Sequence, residues 1–329
     1  MADPNHMDGP LDDGSPSLNG RRHKQAVALV ILSAAVISTS GILIRSLEAA
    51  TEWQVVFWRG VSLAVGVFVV LFIQHRGATL NTIRSIGWLG VLGSMFFGGA
   101  MIGYVLAITN TTVANAVFTM SAVPFFTAVL AWVLLGERVS AITAVAIAAA
   151  CVGIALMVGD GIATGTVFGN AMALFAAVCI AFFVVILRKG RAVNMLPATA
   201  IGGLLSAVLA FYFMEGGYQV SRRDLVICLT LGGIISCMGH VFFVIASRRL
   251  SNAELTLLTL IEFILGPIWV WMFINEVPND LSLIGGAVVL SAVGGHALFS
   301  MVKQGQPKGF VPIAGLAVIS PLCYFRWLE

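Results

Sequence analysis

With 329 residues, 59% of them apolar and only 10% charged, and a mean hydropathy of +0.99, the chain lies outside the composition of soluble globular proteins. Its formal net charge of +3 comes from Lys and Arg in short loops, where charge orients a membrane protein, and gives no ground for nucleic-acid binding. These values point to a polytopic protein that works within a lipid bilayer.

The chain opens on MADPNHMDGPLDDGSPSLNG, acidic and rich in Gly, Pro and Ser, which makes a poor signal peptide. Residues 1–25 are read as a disordered cytoplasmic tail. Ten apolar runs follow, at 26–44, 53–73, 86–106, 112–135, 141–158, 170–187, 197–214, 225–246, 254–275 and 281–301. Each approaches the roughly 20 residues a helix needs to cross a hydrocarbon core of about 30 Å. The links between them are about 4 to 12 residues long, too short for an inserted soluble domain. GDGIATG (159–165) faintly echoes a dinucleotide loop, but turn chemistry between two spans accounts for it. The tail after residue 301 carries an apolar stretch interrupted by Pro312 and Pro321, read as interfacial or poorly ordered, not as an eleventh span.

With the N-terminus inside, thirteen Lys and Arg fall on the cytoplasmic side and only Arg45, Arg222 and Arg223 outside, so both termini are expected in the cytoplasm of a cell bounded by this inner membrane. Cys151, Cys179, Cys228, Cys237 and Cys323 show no CxxC spacing and read as packing residues.

The two halves resemble each other. A shift of 139 matches Ala107 with Ala246, Ala114 with Ala253, Trp132 with Trp271 and Glu137 with Glu276; a shift of 143 matches Ala34 with Ala177 and Arg45 with Arg188. Five spans per half is an odd number, so the second half enters the membrane from the opposite side. The expected fold is all-α and integral to the membrane, ten transmembrane helices in a 5+5 inverted-topology repeat, residues 26–158 and 170–301.

AVPFFTAVLAWVLLGERVS (122–140) resembles the Pro, Ala-Trp, Gly-Glu signature of the drug/metabolite transporter superfamily, EamA-like branch, and LIEFILGPIWVWMFINE (260–276) is similar to its second copy. The second copy departs from the pattern at Phe263, Val270 and Asn275. The resemblance implies a central cavity lined mainly by helices 1, 3, 4, 6, 8 and 9.

Of fifteen acidic residues only Glu262 lies well inside a span. An ionised carboxylate at that depth is unfavourable by about 3 kcal/mol on insertion scales, so it should face the bundle interior. At about 100° per residue, Thr259, Glu262, Gly266, Trp269 and Phe273 share its face and Trp271 points away. Glu262 is then a cation or proton site with Trp269 as an aromatic wall, or a structural cap on a neighbouring helix. His240, in the eighth span, pairs with Glu262 if consecutive helices pack, or is a hydrogen-bonded packing residue; His296 reads as packing. Glu254 and Asn115 begin equivalent spans: either they complement helix N-termini or they mark the two ends of a path. Arg59, inside the second span, needs a partner, and its likeness to the Arg of the family's second helix implies a structural or gating pair before a substrate contact. Tyr104 suits the interface belt or the cavity mouth, and Gly99 and Gly103 suit close helix packing.

No Gly-Lys dipeptide occurs, so there is no Walker A loop, and HExxH, GxSxG and clustered His, Cys and Asp are absent from the sequence. No cofactor or metal is expected. The expected function is secondary transport of a small organic metabolite (an amino acid, an amine or another amphipathic or cationic solute) by alternating access, in the export direction, as a monomer or homodimer. An importer on the same fold is the alternative; a membrane enzyme or lipid-handling protein would need more polar residues converging at one depth.

Overall fold

The structure is a computed structural model describing residues 16–75, 79–137, 139–189, 196–247, 250 and 252–304. Among these residues ten helices are long and apolar enough to cross a membrane, and no strand is present. The spans are His23–Arg45, Glu52–Gln74, Gly87–Asn110, Val113–Leu135, Ala141–Gly159, Val167–Lys189, Leu196–Phe213, Arg222–Phe243, Glu254–Ile274 and Asp280–Val302, numbered one to ten below. All ten expected runs are found. The readings of residues 1–15 and 305–329 fall outside the described residues.

Two boundaries differ from expectation. The first helix begins at Pro16, so residues 16–25, read as tail, are helical. The fifth helix continues to Thr164, so GDGIATG is helix rather than loop up to its last glycine. There Gly165 takes φ +76°, a left-handed glycine stop in which the Gly165 N–H and the Thr166 N–H, the latter at 2.9 Å, both donate to the Gly161 carbonyl.

Helix starts follow local sequence. Thr51 and Gln54 form a reciprocal cap, in which the Thr51 N–H donates to Gln54 Oε1 at 2.9 Å and the Gln54 N–H to Thr51 Oγ1 at 3.4 Å. Thr112, Ser140 and Ser221 cap spans four, five and eight through their side-chain oxygens.

The packing is symmetric under exchange of the halves. Span three packs on span six as eight does on one; three packs on seven as eight does on two; four packs on six as nine does on one. Spans two and seven, and five and ten, meet across the pseudo-two-fold. At both seams the backbones touch. A Cβ on Gly60 would lie 2.5 Å from the Gly203 carbonyl oxygen and one on Gly203 2.9 Å from that of Gly60, while Gly153 and Gly285 stand at 2.6 and 2.5 Å in the same sense. Gly99 and Gly103 serve the packing role expected of them, against Phe175, Cys179 and Ala176 of span six.

Three spans are irregular in mid-course. Span one breaks at Thr39, between helices Pro16–Ser38 and Ser40–Arg45. Span four breaks at Ser121–Ala122, because Pro124 cannot donate to the Met120 carbonyl and its ring crowds that turn. Span eight carries a π-helical segment, Thr230–Ser236. Span nine has Phe263 where the first copy has Pro124, and its helix, Asn252–Ile274, runs unbroken through Pro267.

Candidate functional site

The break in span one places Ser38 and Ser40 beside spans three and nine. Trp269 Nε1 donates to Ser38 Oγ at 2.9 Å, and Ser38 Oγ donates to the Ala35 carbonyl at 2.7 Å. The Ser40 and Tyr104 hydroxyls share a hydrogen bond of 2.5 Å. Over the Tyr104 ring, 5.0 Å from its centroid, lies the guanidinium of Arg59 from span two. Arg59 Nη2 donates to Ser236 Oγ at 3.4 Å, at the end of the π-helical segment of span eight. The Ser236 carbonyl in turn accepts from His240 Nδ1 at 2.6 Å, and Phe97 packs edge-on against the imidazole at 5.1 Å. Glu262, half-buried on span nine, lies within electrostatic reach of Tyr104 and has no hydrogen-bond or ion-pair partner among the described residues.

Arg59, Tyr104 and His240 are therefore joined by one chain of contacts inside the bundle, while Glu262 reaches only Tyr104 and Trp269 is held to span one through Ser38. The spans involved are one, three, eight and nine, four of the six that the resemblance implies, with span two added through Arg59; spans four and six contribute none of these residues.

The Glu262–His240 pair is not formed. Its premise was that spans eight and nine pack, but they barely touch: span one lies against both and separates them. His240 is directed to its own helix and to Phe97, and the charge that acts on it is that of Arg59, not of Glu262. Thr259 is on the expected face, with its hydroxyl donating to the Thr256 carbonyl at 3.0 Å. Gly266 is buried against Val117 and Ser38, whereas Phe273 is 66% exposed, because the last turn of span nine leaves the bundle. Trp271 points outward, 57% exposed, as its helical phase requires.

Asn115 and Glu254 lie at opposite ends. Asn115 is buried beside Thr111, its Nδ2 at 3.5 Å from Thr111 Oγ1 and its Oδ1 unpartnered; Glu254 Oε1 is 3.3 Å from His23 Nε2. His296 is held by Thr143 Oγ1 at 2.9 Å and the edge of Phe125, a packing environment.

Sequence reasoning missed the network at the end where span one finishes. Arg45 Nε forms an ion pair with Glu276 Oε2 at 3.0 Å, and Arg45 Nη2 donates to the Thr111 carbonyl at 2.6 Å. The other Glu276 oxygen accepts the Val113 N–H at 2.7 Å. Arg45, Thr109, Asn110, Thr166 and Glu276 line a cleft of about 340 Å³ here. At the opposite end Arg188 Nη1 is 3.9 Å from Glu137 Oε2, and the Glu137 side chain is 58% exposed against 18% for Glu276. The matches of Arg45 with Arg188 and Glu276 with Glu137 carried this signal, since each joins a charge of one sign to its counterpart. Asp224 was missed as well. It is fully buried and accepts the N–H groups of Glu48, Ala49 and Ala50 at 3.1, 3.0 and 3.0 Å, tying the link after span one to span eight. The spacing Ser221-x-x-Asp224 at a helix start was the available clue.

Among the described residues no three His, Cys, Asp or Glu side chains converge.

Comparison with known proteins agrees with this architecture. Two chains from Pseudomonas aeruginosa strains, both named pseudopaline exporter CntI, are 23% identical over 289 residues, covering 82% of this chain and 94% of the relative. A Bacillus subtilis membrane protein, YwdK, is 26% identical over 72 residues, 22% of this chain and 54% of its own. A solved structure superposes with a TM-score of 0.61 at 18% identity over 84% of this chain and 98% of the other, a likeness of fold. The EamA-like transporter family matches twice, at 24–159 and 167–296, once for each five-span half. Ten apolar helices in two inverted copies, each matching the same family, make this multi-pass membrane protein a member of the EamA-like transporter family.

Proposed function

We propose that the protein is a secondary transporter that exports a small organic metabolite by alternating access between its two five-helix halves, with both termini in the cytoplasm. The observation that carries this reading is the pair of symmetry-related Arg–Glu contacts. Arg45–Glu276 is close and braced by backbone groups; Arg188–Glu137 is long and exposed. In an inverted repeat these contacts occupy opposite ends of one path, and alternating access needs one end latched while the other is loose. With Lys and Arg concentrated inside, the latched end faces out, which describes an inward-facing state. Export is favoured over import by the relatives named as exporters. The central spans supply the solute site through Glu262, Trp269, Thr259, Tyr104, His240 and Arg59, while Asn115 and Glu254 stand at the two ends of the path.

The test is flux in proteoliposomes of known orientation, loaded with radiolabelled amino acids and amines, without ATP. Outward-directed flux of a panel member is expected. Flux in the import direction alone would favour the importer, and turnover of a lipid without solute flux would overturn transport.

A further inference from the structure

At the rim that the reading above places outside, the link between spans three and four is held on one side and fastened on the other. Thr111 Oγ1 donates to Asn170 Oδ1 of span six at 2.7 Å, and Asn170 Nδ2 donates to the Met157 carbonyl of span five at 3.2 Å, which fixes the link to those two spans. A second block faces it. Asp224 ties the link after span one to span eight, and Gln54 Nε2 ties the start of span two to the Gly217 and Gln219 carbonyls at 2.9 and 3.1 Å, just before span eight. Trp58 Nε1 adds a bond to the Tyr218 carbonyl at 3.0 Å. The blocks are joined across the rim by Arg45, which reaches the Thr111 carbonyl, and by Glu52, whose Oε1 accepts from Asn110 Nδ2 at 2.7 Å.

We infer that Glu52 and Asn110 form a second bolt on the outer gate, beside Arg45–Glu276, and that this bolt keeps the empty transporter shut to the outside. The assignment rests on the alternating-access reading above and adds the residues that hold the resting state. Three features make the contact releasable. Asn110 Nδ2 carries two hydrogens yet lies within hydrogen-bond distance of three acceptors: Glu52 Oε1, the Leu106 carbonyl at 2.9 Å and Thr109 Oγ1 at 3.0 Å. Released from Glu52, the amide nitrogen keeps a partner for each hydrogen. Glu52 is the first residue of its helix, where the helix N-terminus favours a carboxylate whether or not Asn110 is near. Breaking the contact therefore strands no polar group, whereas loss of Asp224 would strand three backbone donors. While made, it is a short hydrogen bond to a charged group and stronger than a neutral one. Both bolts end on one link, since Arg45 grips Thr111 and Glu52 grips Asn110, so opening the rim releases them together. The cytoplasmic gate has no carboxylate in the same place: span seven, the repeat of span two, opens on Leu196-Pro197 with no acid in its first turn.

The experiment measures how fast an uncharged maleimide labels a single cysteine, Thr166→Cys, which lies in the cleft beside Arg45. The full-length protein is used in detergent without solute, and the reagent is uncharged so that losing the Glu52 charge does not alter its approach. Glu52→Ala is expected to speed labelling about fivefold or more, and Glu52→Gln, which keeps an acceptor oxygen, by less, with the melting temperature unchanged. In an Asn110→Ala background, Glu52→Ala should add nothing further. Cys179, kept as the sole cysteine and buried between spans three and six, should stay slow to label in every variant. Unchanged labelling in Glu52→Ala, additive effects of Glu52→Ala and Asn110→Ala, or equal acceleration at Cys179 overturns the assignment. If Asn110→Ala does not fold, the Glu52 variants and the Cys179 control decide alone. Solute flux by the unmodified protein, with labelling that Glu52→Ala leaves unchanged, would remove the bolt and leave transport standing. Accelerated labelling in Glu52→Ala, without flux of any solute, would keep the fastening of this rim and remove transport.

Discussion

Gly136 and Asn275, 139 positions apart, turn the chain through the same left-handed conformation, φ +67° and +58°, and each is followed at once by a glutamate of an Arg–Glu pair. Asn275 is the one non-glycine residue at positive φ among the described residues. The first copy meets this demand with glycine and the second with the side chain that tolerates it next best. Asn275→Gly is therefore expected to hold or raise the melting temperature, and Asn275→Ala to lower stability by about 1 kcal/mol. A thermal melt of the purified protein decides; an Ala variant as stable as the parent would mean that the turn is not strained.

The two Arg–Glu pairs should act with opposite sign. Removing Glu276's charge with Glu276→Gln weakens a half-buried contact that also holds the Val113 N–H, a loss of about 1–3 kcal/mol and so about 5- to 150-fold in population. A cysteine placed at Thr109, which lines the cleft beside Arg45, in an otherwise cysteine-free background, is expected to be labelled faster in Glu276→Gln. Glu137→Gln is expected to leave that labelling unchanged or slow it. Faster labelling in both variants would show general loosening, not alternation.

Glu262 should be dispensable for folding and needed for function. It makes no hydrogen bond or ion pair among the described residues, so Glu262→Gln is expected to leave the melting temperature within the effect of about 1 kcal/mol while reducing flux or binding about tenfold or more. A lowered melting temperature with unchanged transport would make the residue structural. Because span one separates it from His240, a double-mutant cycle between the two should be additive in stability; a coupling above about 0.5 kcal/mol would contradict the packing described here.

Asp224 should behave in the opposite way. Asp224→Ala would strand three backbone donors in a buried site and is expected to destabilise by about 3 kcal/mol or more, with Asp224→Asn intermediate because one acceptor oxygen remains. Expression level and thermal melting measure this. A Glu48–Ala50 link as well protected from hydrogen exchange in the Ala variant as in the parent would show that Asp224 is not what holds it.

The spans were legible because a bilayer demands about 20 apolar residues whatever the packing, and the orientation of Trp271 was legible because helical phase alone fixes it. The repeat could be read in Trp132 and Trp271, both lipid-facing, 55% and 57% exposed, and in the glutamates that follow them. The pairing of Glu262 with His240 could not be read correctly, since it depends on which helices touch, and inverted repeats interleave: span one of the first half enters between two spans of the second. Nor did hydropathy reveal Ser38, Ser40 and Ser236. Each serves as a polar joint where a helix departs from regular geometry, and hydropathy averages such residues away.

The reciprocal glycines at the two seams have a mechanical consequence. Where Gly60 bears on Gly203 and Gly153 on Gly285, main chain rests on main chain, and no side-chain rotamers are there to absorb a sliding displacement. In the alternating access proposed above, the halves are then expected to tilt about these contacts, with the seams as a fulcrum. Displacement grows with distance from a fulcrum, so the largest excursions are expected at the two rims, where Arg45 meets Glu276 and Arg188 approaches Glu137.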